Sequence, residues 1–505
     1  MKRHWKKIMT ALWTMVLLSF IFLCQGCQNA ARDMETEGIN AAETESGLTK
    51  LIISYPTAAA IYPEDQKLVE EAVAQIVRQK LNIEMEFQVN LDDYDEKINT
   101  LMAGQQQIDI IYCSNNMMTQ MYMNDQLCQL DELLETYGQG ILNAVGKEMI
   151  DACRINGRLY GLPNNRDYAV GWDGYILRKD ILDKYGIQKE DITSIEKLED
   201  LFALVQKHEP EMEILDCDGS TLLGNQYFLD NVNNLPFGVH MDYGREEELS
   251  NVFKTEEYKE ALERIYRWRQ LGYIKRDWQG MSSTTDYRMN TGKLFAYACR
   301  GKPGIEQQEK LSCGTEVVFV QFGENAVVGN PMSAMPWAIT KNTADAKKAM
   351  QLLNLLYTDA DIMNLLSYGI EGVHYVKTED GHITFPEGKN INPFIGEAWR
   401  MPNQFITYVW EGCPLTFWED MRRYNEESLH GCDFGFNFDP TAVSTEYLEL
   451  ERIYKKYQVI LENGLVDPEE GLKQLNRELD ANFIDDVIAE KQRQYNAFKA
   501  AKEQD

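Results

Sequence analysis

The sequence predicts an α/β protein of at least two lobes. Two observations carry this. From residue 50 to 115 the chain alternates strand-like and helix-like segments in the order β-α-β-α-β, the pattern of a parallel sheet covered by helices. The part of the chain able to fold, about 455 residues, is also too long for a single hydrophobic core.

The elements follow in order. "KLIISYP" (50–56) is a short β-branched run that stops at a proline, as a strand does. Residues 64–81 read as an amphipathic helix, with Leu68, Ala72, Ile76 and Leu81 about one turn apart. "IEMEFQV" (83–89) alternates in the manner of a strand; a Leu- and Met-bearing helix follows, then the apolar strand of "IDIIYCSN" (108–115). In such sheets ligands sit at the carboxyl ends of the strands, which points to Tyr55 and to residues Tyr112 to Asn115. "GRLYGLPNNRDYAVGWDGYILRKDILDKYGI" (157–187) passes from a Gly-Pro turn through a strand-like stretch into a charged helix. "YKEALERIYRWRQLGYI" (258–274) and "ADAKKAMQLLNLLYTD" (344–359) are amphipathic helices. So is "ELERIYKKYQVILENG", with Leu450, Ile453, Tyr454, Tyr457, Ile460 and Leu461 on one stripe. The next helix opens with Asp467 as its cap and Pro468 at its first position. Trp268 on a packed helix and Trp410 in an apolar, strand-like run read as structural.

The first residues have a different character. Lys2, Arg3, Lys6 and Lys7 precede an apolar run from Met9 to Leu23, which is too short to span a bilayer and fits the core of an export signal. Gly26 before Cys27 resembles a bacterial lipobox, although Cys24 stands where leucine is usual. The expectation is a signal peptide over 1–26, cleavage before Cys27, and lipidation of Cys27 (palmitate) that anchors the chain to the outer face of the cytoplasmic membrane. Residues 27–49, small, polar and acidic, then read as a flexible tether.

Composition narrows the partners. The formal charge is −30, and removing the four cations of the leader takes it to about −34. That argues against nucleic acid, whose phosphates require Lys and Arg. Eight cysteines lie beyond Cys27, none in a C-x-x-C or metal-ligand spacing, and the sequence pairs none of them. No G-x-S-x-G, H-E-x-x-H or P-loop occurs. With 80 acidic residues, paired carboxylates carry no signal for glycoside hydrolysis. No catalytic residue, metal ligand or cofactor is assigned, and the chain is read as a non-enzyme.

Five stretches carry a resemblance over nearly the whole length: "GYILRKDILDKYGI" (174–187), "EEYKEALERIYRWRQLGYI" (256–274), "AITKNTADAKKAMQLLNLLYTDADIMNLLSYGIEGVHY" (338–375), "FGFNFD" (434–439) and "DDVIAEKQRQYNAF" (485–498). Through them the chain resembles the extracellular solute-binding lipoproteins of bacterial ABC importers, the maltose-binding-protein class, and within it the Firmicutes subgroup with a C-terminal DUF3502-type domain. The resemblance implies a two-lobed periplasmic-binding-protein-like (type II) fold with hinge crossovers and a helical C-terminal portion. It implies lobe 1 from 50–165 plus 330–370, and lobe 2 from 166–329 plus 371–505. The last departure from lobe 1 would then lie near "YGIEG" (368–372). It implies a monomer that closes on a carbohydrate, an oligosaccharide above all, and hands it to membrane permease subunits. Sugar rings stack on aromatics and their hydroxyls need polar partners. The candidate ligand residues are therefore Trp172, Trp337, Asn165, Glu371, Tyr55, Tyr112 and Phe436, with Asn164 and Arg166 beside them. The alternatives are a binding protein for a peptide or other small solute, a sensor subunit, or a carbohydrate-active enzyme.

Overall fold

A computed structural model describes residues 47–503, apart from 58–60, 91–92, 114–116, 218–220, 230–234, 276–283, 390–391 and 395–397. The leader, Cys27 and the tether lie outside the described residues.

The chain begins with β1 (Thr49–Pro56), α1 (Pro63–Leu81), β2 (Ile83–Asn90), α2 (Tyr94–Ala103) and β3 (Ile110–Tyr112). A short helix α3 (Lys147–Asp151) precedes β4 (Val170–Gly171) and β5 (Gly174–Arg178). Then come α4 (Ile195–His208), β6 (Glu213–Cys217), α5 (Glu256–Gln270), β7 (Leu294–Ala298), α6 (Ile305–Cys313), β8 (Val317–Gln321), β9 (Asn325–Val327) and β10 (Trp337–Ile339). The remainder is α7 (Ala346–Thr358), α8 (Ala360–Tyr368), β11 (Leu429–His430) and three C-terminal helices, α9 (Ser444–Glu462), α10 (Pro468–Ala481) and α11 (Ile484–Lys502). Smaller turns and helices connect them.

Two four-stranded sheets organise these elements. The first has the order β10-β3-β1-β2, with β1, β2 and β3 parallel and β10 antiparallel to β3. Alternation along β1 divides its side chains between two faces. Leu51, Ile53 and Tyr55 join a core with α1, α7 and α8, while Ile52 packs with α2 and the methionines of 117–121. The helix α1 buries Val69, Val73 and Val77, not the expected stripe; Leu68 is 47% exposed. Two adjacent apolar stripes run along this helix, and the β-branched one meets the sheet.

The second sheet has the order β8-β5-β7-β6. Here β6 and β7 are parallel, and β5 runs antiparallel to both β7 and β8. Its core joins α4, α5 and the three C-terminal helices: Trp268, Phe202, Leu450, Tyr454, Leu475 and Tyr495 are all buried in it. Asp467 caps α10 as expected, accepting from the backbone N–H groups of Glu469 and Glu470.

A third sheet, β11-β9-β4, links the two cores. Its strands have only two or three residues each, with β4 antiparallel and β11 parallel to β9. Around it Ala169, Val327 and Phe434 belong to the first core, and Tyr175, Val320 and Phe436 to the second. The chain therefore passes between cores near 166–174, 321–328 and 429–436. This differs from the sequence reading, which places the last passage at 368–372. Phe394 and Met401 pack into the first core, and Asn403 donates to the Tyr357 carbonyl at 2.8 Å. The segment around 394–406 thus packs with the first core, while Tyr375, Ile383 and Trp410 form a small cluster with Tyr368 that also meets Leu311 of α6; the apparent break at the glycines of "YGIEG" is a local turn in which the Gly372 N–H meets the Tyr375 carbonyl at 2.7 Å.

Candidate functional site

The carboxyl ends of β1 and β3 bring Tyr55 and Tyr112 to one edge of the first sheet, and Trp337, opening the antiparallel β10, lies directly opposite Tyr112. The Trp337 ring stands 6.0 Å from that of Tyr55 and 5.7 Å from that of Tyr112, edge to face in both cases. All three are buried, at 5%, 2% and 1% exposure for Tyr55, Tyr112 and Trp337. The trio is therefore the underside of the edge, not its open face. Trp337 Nε1 donates to the Arg400 carbonyl at 3.1 Å, and Arg400 Nη1 donates to the Pro56 carbonyl at 2.7 Å. Those bonds draw the segment 398–404 across the strand ends.

Asn165 serves the same segment. Its Nδ2 donates to the Ala144 carbonyl at 2.9 Å and to Asn403 Oδ1 at 3.1 Å, while its backbone bonds to Pro402 and Gln404. Asn164 donates to the Arg400 carbonyl at 2.7 Å. Next to them Trp399, half-buried, lies 4.5 Å from the Arg400 guanidinium and 5.9 Å from that of Arg166, measured to the ring centre. The sequence reading missed Trp399, because "EAWRMPN" has no periodicity and no strand to mark it.

The corresponding edge of the second sheet is where β6, β7 and β8 end and β5 begins. Trp172 lies there, 1% exposed. Its Nε1 donates to the Ala326 carbonyl at 3.2 Å and the Arg300 guanidinium stands 4.4 Å from its ring centre. Beside it Tyr227 and Tyr243 stack at 4.2 Å. Asp173, at φ 51°, accepts from Tyr175 Oη at 3.0 Å and Gln226 Nε2 at 2.7 Å. Asp173 also lowers the affinity of its neighbour for losing a proton: Tyr175 is pushed well above the phenol range by burial first and by this carboxylate second.

Between the edges, Lys302 pairs with the buried Asp167 at 2.6 Å, and Gly171 and Gly301 exchange two backbone bonds of 2.7 Å. Neither glycine has room for a side chain: a Cβ on Gly171 would meet the Gln321 amide, and one on Gly301 the Phe319 ring.

Two candidates stand apart from these edges. Glu371 is exposed and pairs with Lys377 at 2.9 Å. Phe436 is buried beside Tyr495 and Phe498, with ring centres 5.7 Å away in each case. It borders a cavity of about 1250 Å³ lined by Asp151, Arg154, Asn437, Arg493 and Phe498, among others, and by none of the edge aromatics. The eight cysteines of the body are free thiols. Asp286, Glu309 and Cys313 bring potential ligand atoms within 4.8 Å of one another. There the Tyr297 hydroxyl bonds Glu309 and lies 3.6 Å from Cys313 Sγ, so the group already forms an internal hydrogen-bonded cluster.

Comparison with known proteins bears on this arrangement. Residues 434–500 match the domain of unknown function DUF3502. A "Carbohydrate ABC transporter substrate-binding protein" of Streptococcus pneumoniae serotype 4 is 22% identical over 433 residues, 84% of this chain and 86% of that protein. A "Polygalacturonan/rhamnogalacturonan-binding protein" of Bacillus subtilis is 22% identical over 325 residues, 58% of this chain and 61% of that one. Among solved structures, the N-glycan transport solute binding protein of Streptococcus pneumoniae, in complex with Man1GlcNAc, superposes with a TM-score of 0.77 at 20% identity, covering 89% of this chain and 99% of that one. The chain therefore has the two-lobed α/β fold of these solute-binding proteins, is similar over most of its length to the Streptococcus pneumoniae substrate-binding protein, and carries the DUF3502 match at its C-terminal end.

Proposed function

We propose that the chain is the ligand receptor of an ABC importer, capturing an oligosaccharide between two lobes and delivering it to the permease. The observation that supports this best is the pair of sheet edges, each backed by tryptophan and lined by polar loops, joined by three short crossing strands. Sugars suit such a place because their C–H faces stack on aromatic rings while their hydroxyls take polar partners. The names of the relatives, one a carbohydrate transporter component and one an N-glycan binder, favour the same class.

In this reading lobe 1 comprises about 50–165 with 330–428, and lobe 2 about 174–325 with the C-terminal helices. Tyr55, Tyr112 and Trp337 support the floor on one side and Trp172 on the other, while Asn165 fixes the loop that carries Trp399. Glu371 and Phe436 lie outside the cleft. Ligand touching both lobes stabilises the closed arrangement and so shifts the population toward it. The protein is a monomer without catalytic function. It is held at the outer face of the membrane by lipid on Cys27: Cys27→Ser is expected to release it into the medium, and Cys24→Leu to leave it anchored.

A thermal-shift screen against mono- and oligosaccharides tests the ligand class. A cognate sugar at 100 times its Kd adds about 2.7 kcal/mol of stability, seen as a rise in Tm. A broad glycan panel with no shift contradicts the carbohydrate assignment. Turnover of any glycan that a single carboxylate substitution abolishes contradicts the receptor reading.

A further inference from the structure

The segment 239–250 of the second lobe is a hairpin whose strands, Val239–His240 and Leu249–Ser250, pair antiparallel. Its turn is strained: Asp242, Tyr243 and Gly244 stand in succession at φ 49°, 55° and 79°, a region that side chains avoid. The contacts that hold it there come from the crossings between the cores. In the second crossing the Glu324 N–H donates to Tyr243 Oη at 3.3 Å, and Arg245 pairs with Glu324 at 2.6 Å. In the third the Cys432 N–H donates to the Gly244 carbonyl at 2.8 Å, and a Cβ on Gly244 would meet the Gly431 backbone. The hairpin thus touches two of the three passages.

At its base His240 is 2% exposed. Its Nδ1 lies 2.8 Å from the Glu246 carbonyl, which can only accept. Nδ1 therefore carries the ring hydrogen, and the neutral ring leaves Nε2 as a lone pair. Nε2 is buried and has no hydrogen-bond partner among the described residues, and the same holds for Asp433 Oδ1 on the third crossing. Both atoms are acceptors, and two acceptors cannot satisfy each other. One proton on Nε2 makes it a donor and gives Asp433 a charged partner. The groups around the ring set the balance. Burial lowers its proton affinity most; Asp433 and the Glu246 carbonyl raise it, Lys491 lowers it and Glu247 raises it. Lys491, from α11, donates to the Gly238 carbonyl at 2.7 Å, and burial brings its ammonium down to about 8 against the pull of Asp433. Glu247 pairs with Lys499 at 2.6 Å. The Tyr495 ring stands 4.4 Å from that of His240, and Cys432 Sγ lies 3.7 Å from the Glu246 carbonyl.

We propose that protonation of His240 draws Asp433 onto Nε2 and shifts the third crossing against the second lobe, so that the relative position of the two lobes responds to acidity. The strained turn is the element that yields, since it is bound to two crossings at once. The device acts in the unliganded chain, whatever the cleft binds.

Two measurements on the unliganded full chain test it between pH 8 and pH 5: NMR of the histidine ring nitrogens, and small-angle scattering. At pH 8 one histidine, identified by its loss in His240→Gln, is expected in the Nδ1–H form and should titrate within this range. The radius of gyration should shift over the same interval as that resonance. The shift should be lost in His240→Gln and equally in Asp433→Asn, with the Tm of each at pH 8 verifying folding. His208→Gln, at the exposed end of α4, should keep it. Absence of any Nδ1–H histidine in the unsubstituted chain at pH 8 overturns the proposal without recourse to a variant. A radius of gyration that does not change with pH, or a change that survives both substitutions, also overturns it. His430 lies on the same crossing, with its Nε2 2.8 Å from the Asn425 carbonyl. A shift kept in His240→Gln and lost in His430→Gln assigns the effect to that ring and overturns the proposal.

Discussion

Glu462 sits 1% exposed between Tyr454 Oη at 2.7 Å and Tyr258 Oη at 3.3 Å, deep in the second core. Burial pushes its carboxyl up from 4.5 to about 7, against the opposing pull of those hydroxyl donors. A raised carboxyl binds its proton more tightly in the folded chain than in the unfolded one. Its stabilising contribution is therefore complete below about pH 4.5 and is lost as pH rises toward 7. We expect Glu462→Gln, which keeps the shape and removes the charge, to raise stability at pH 8 by about 1–3 kcal/mol and to change little at pH 4.5. Thermal unfolding at the two pH values measures this. Trp337 makes a second case. Trp337→Ala leaves a cavity where the indole stood against Tyr55 and Tyr112, and should cost about 3–5 kcal/mol, read as a fall in Tm. Its burial was partly legible. Tyr55 shares the alternating face of Leu51 and Ile53, so period two alone turns it toward the core; the sequence names the strand ends but does not say which end residues face the solvent.

At the scale of elements, long periodic segments read well and short ones do not. The helices α5, α7, α9 and α10 fall where their apolar spacing and caps place them. In α1 the stripe is displaced by one position, because valine at 69, 73 and 77 and a leucine-led stripe beside it are both apolar and only the sheet chooses between them. The crossing strands have two or three residues each, too few for any period, and so the last passage between cores is not readable from the sequence. These short strands are reinforced by the Lys302–Asp167 pair, with side chains 14% and 7% exposed. Removing one partner of such a pair strands the other charge, at a cost of about 3–5 kcal/mol. We expect Lys302→Met to lower Tm by that measure and the double variant Lys302→Met/Asp167→Leu to recover much of the loss, which a double-mutant cycle checks. Asp345, whose side chain accepts from the Lys347 and Lys348 N–H groups, caps α7; Asp345→Ala should cost only about 1 kcal/mol.

At the scale of the molecule, two cores joined by three short crossings suit the opening and closing that the proposed function calls for. Chain length and the β-α-β-α-β start predict more than one core, but the two-lobed arrangement itself came from the resemblance of long stretches such as 338–375. Periodicity does not encode how lobes pair. The central claim is that an oligosaccharide is held between the lobes and brings them together. Small-angle X-ray scattering of the full chain, titrated with an oligosaccharide identified by the thermal screen, measures this directly. The account expects the radius of gyration to fall on saturation and to follow the same binding curve as the Tm. Saturating binding with no change in the radius of gyration would contradict it.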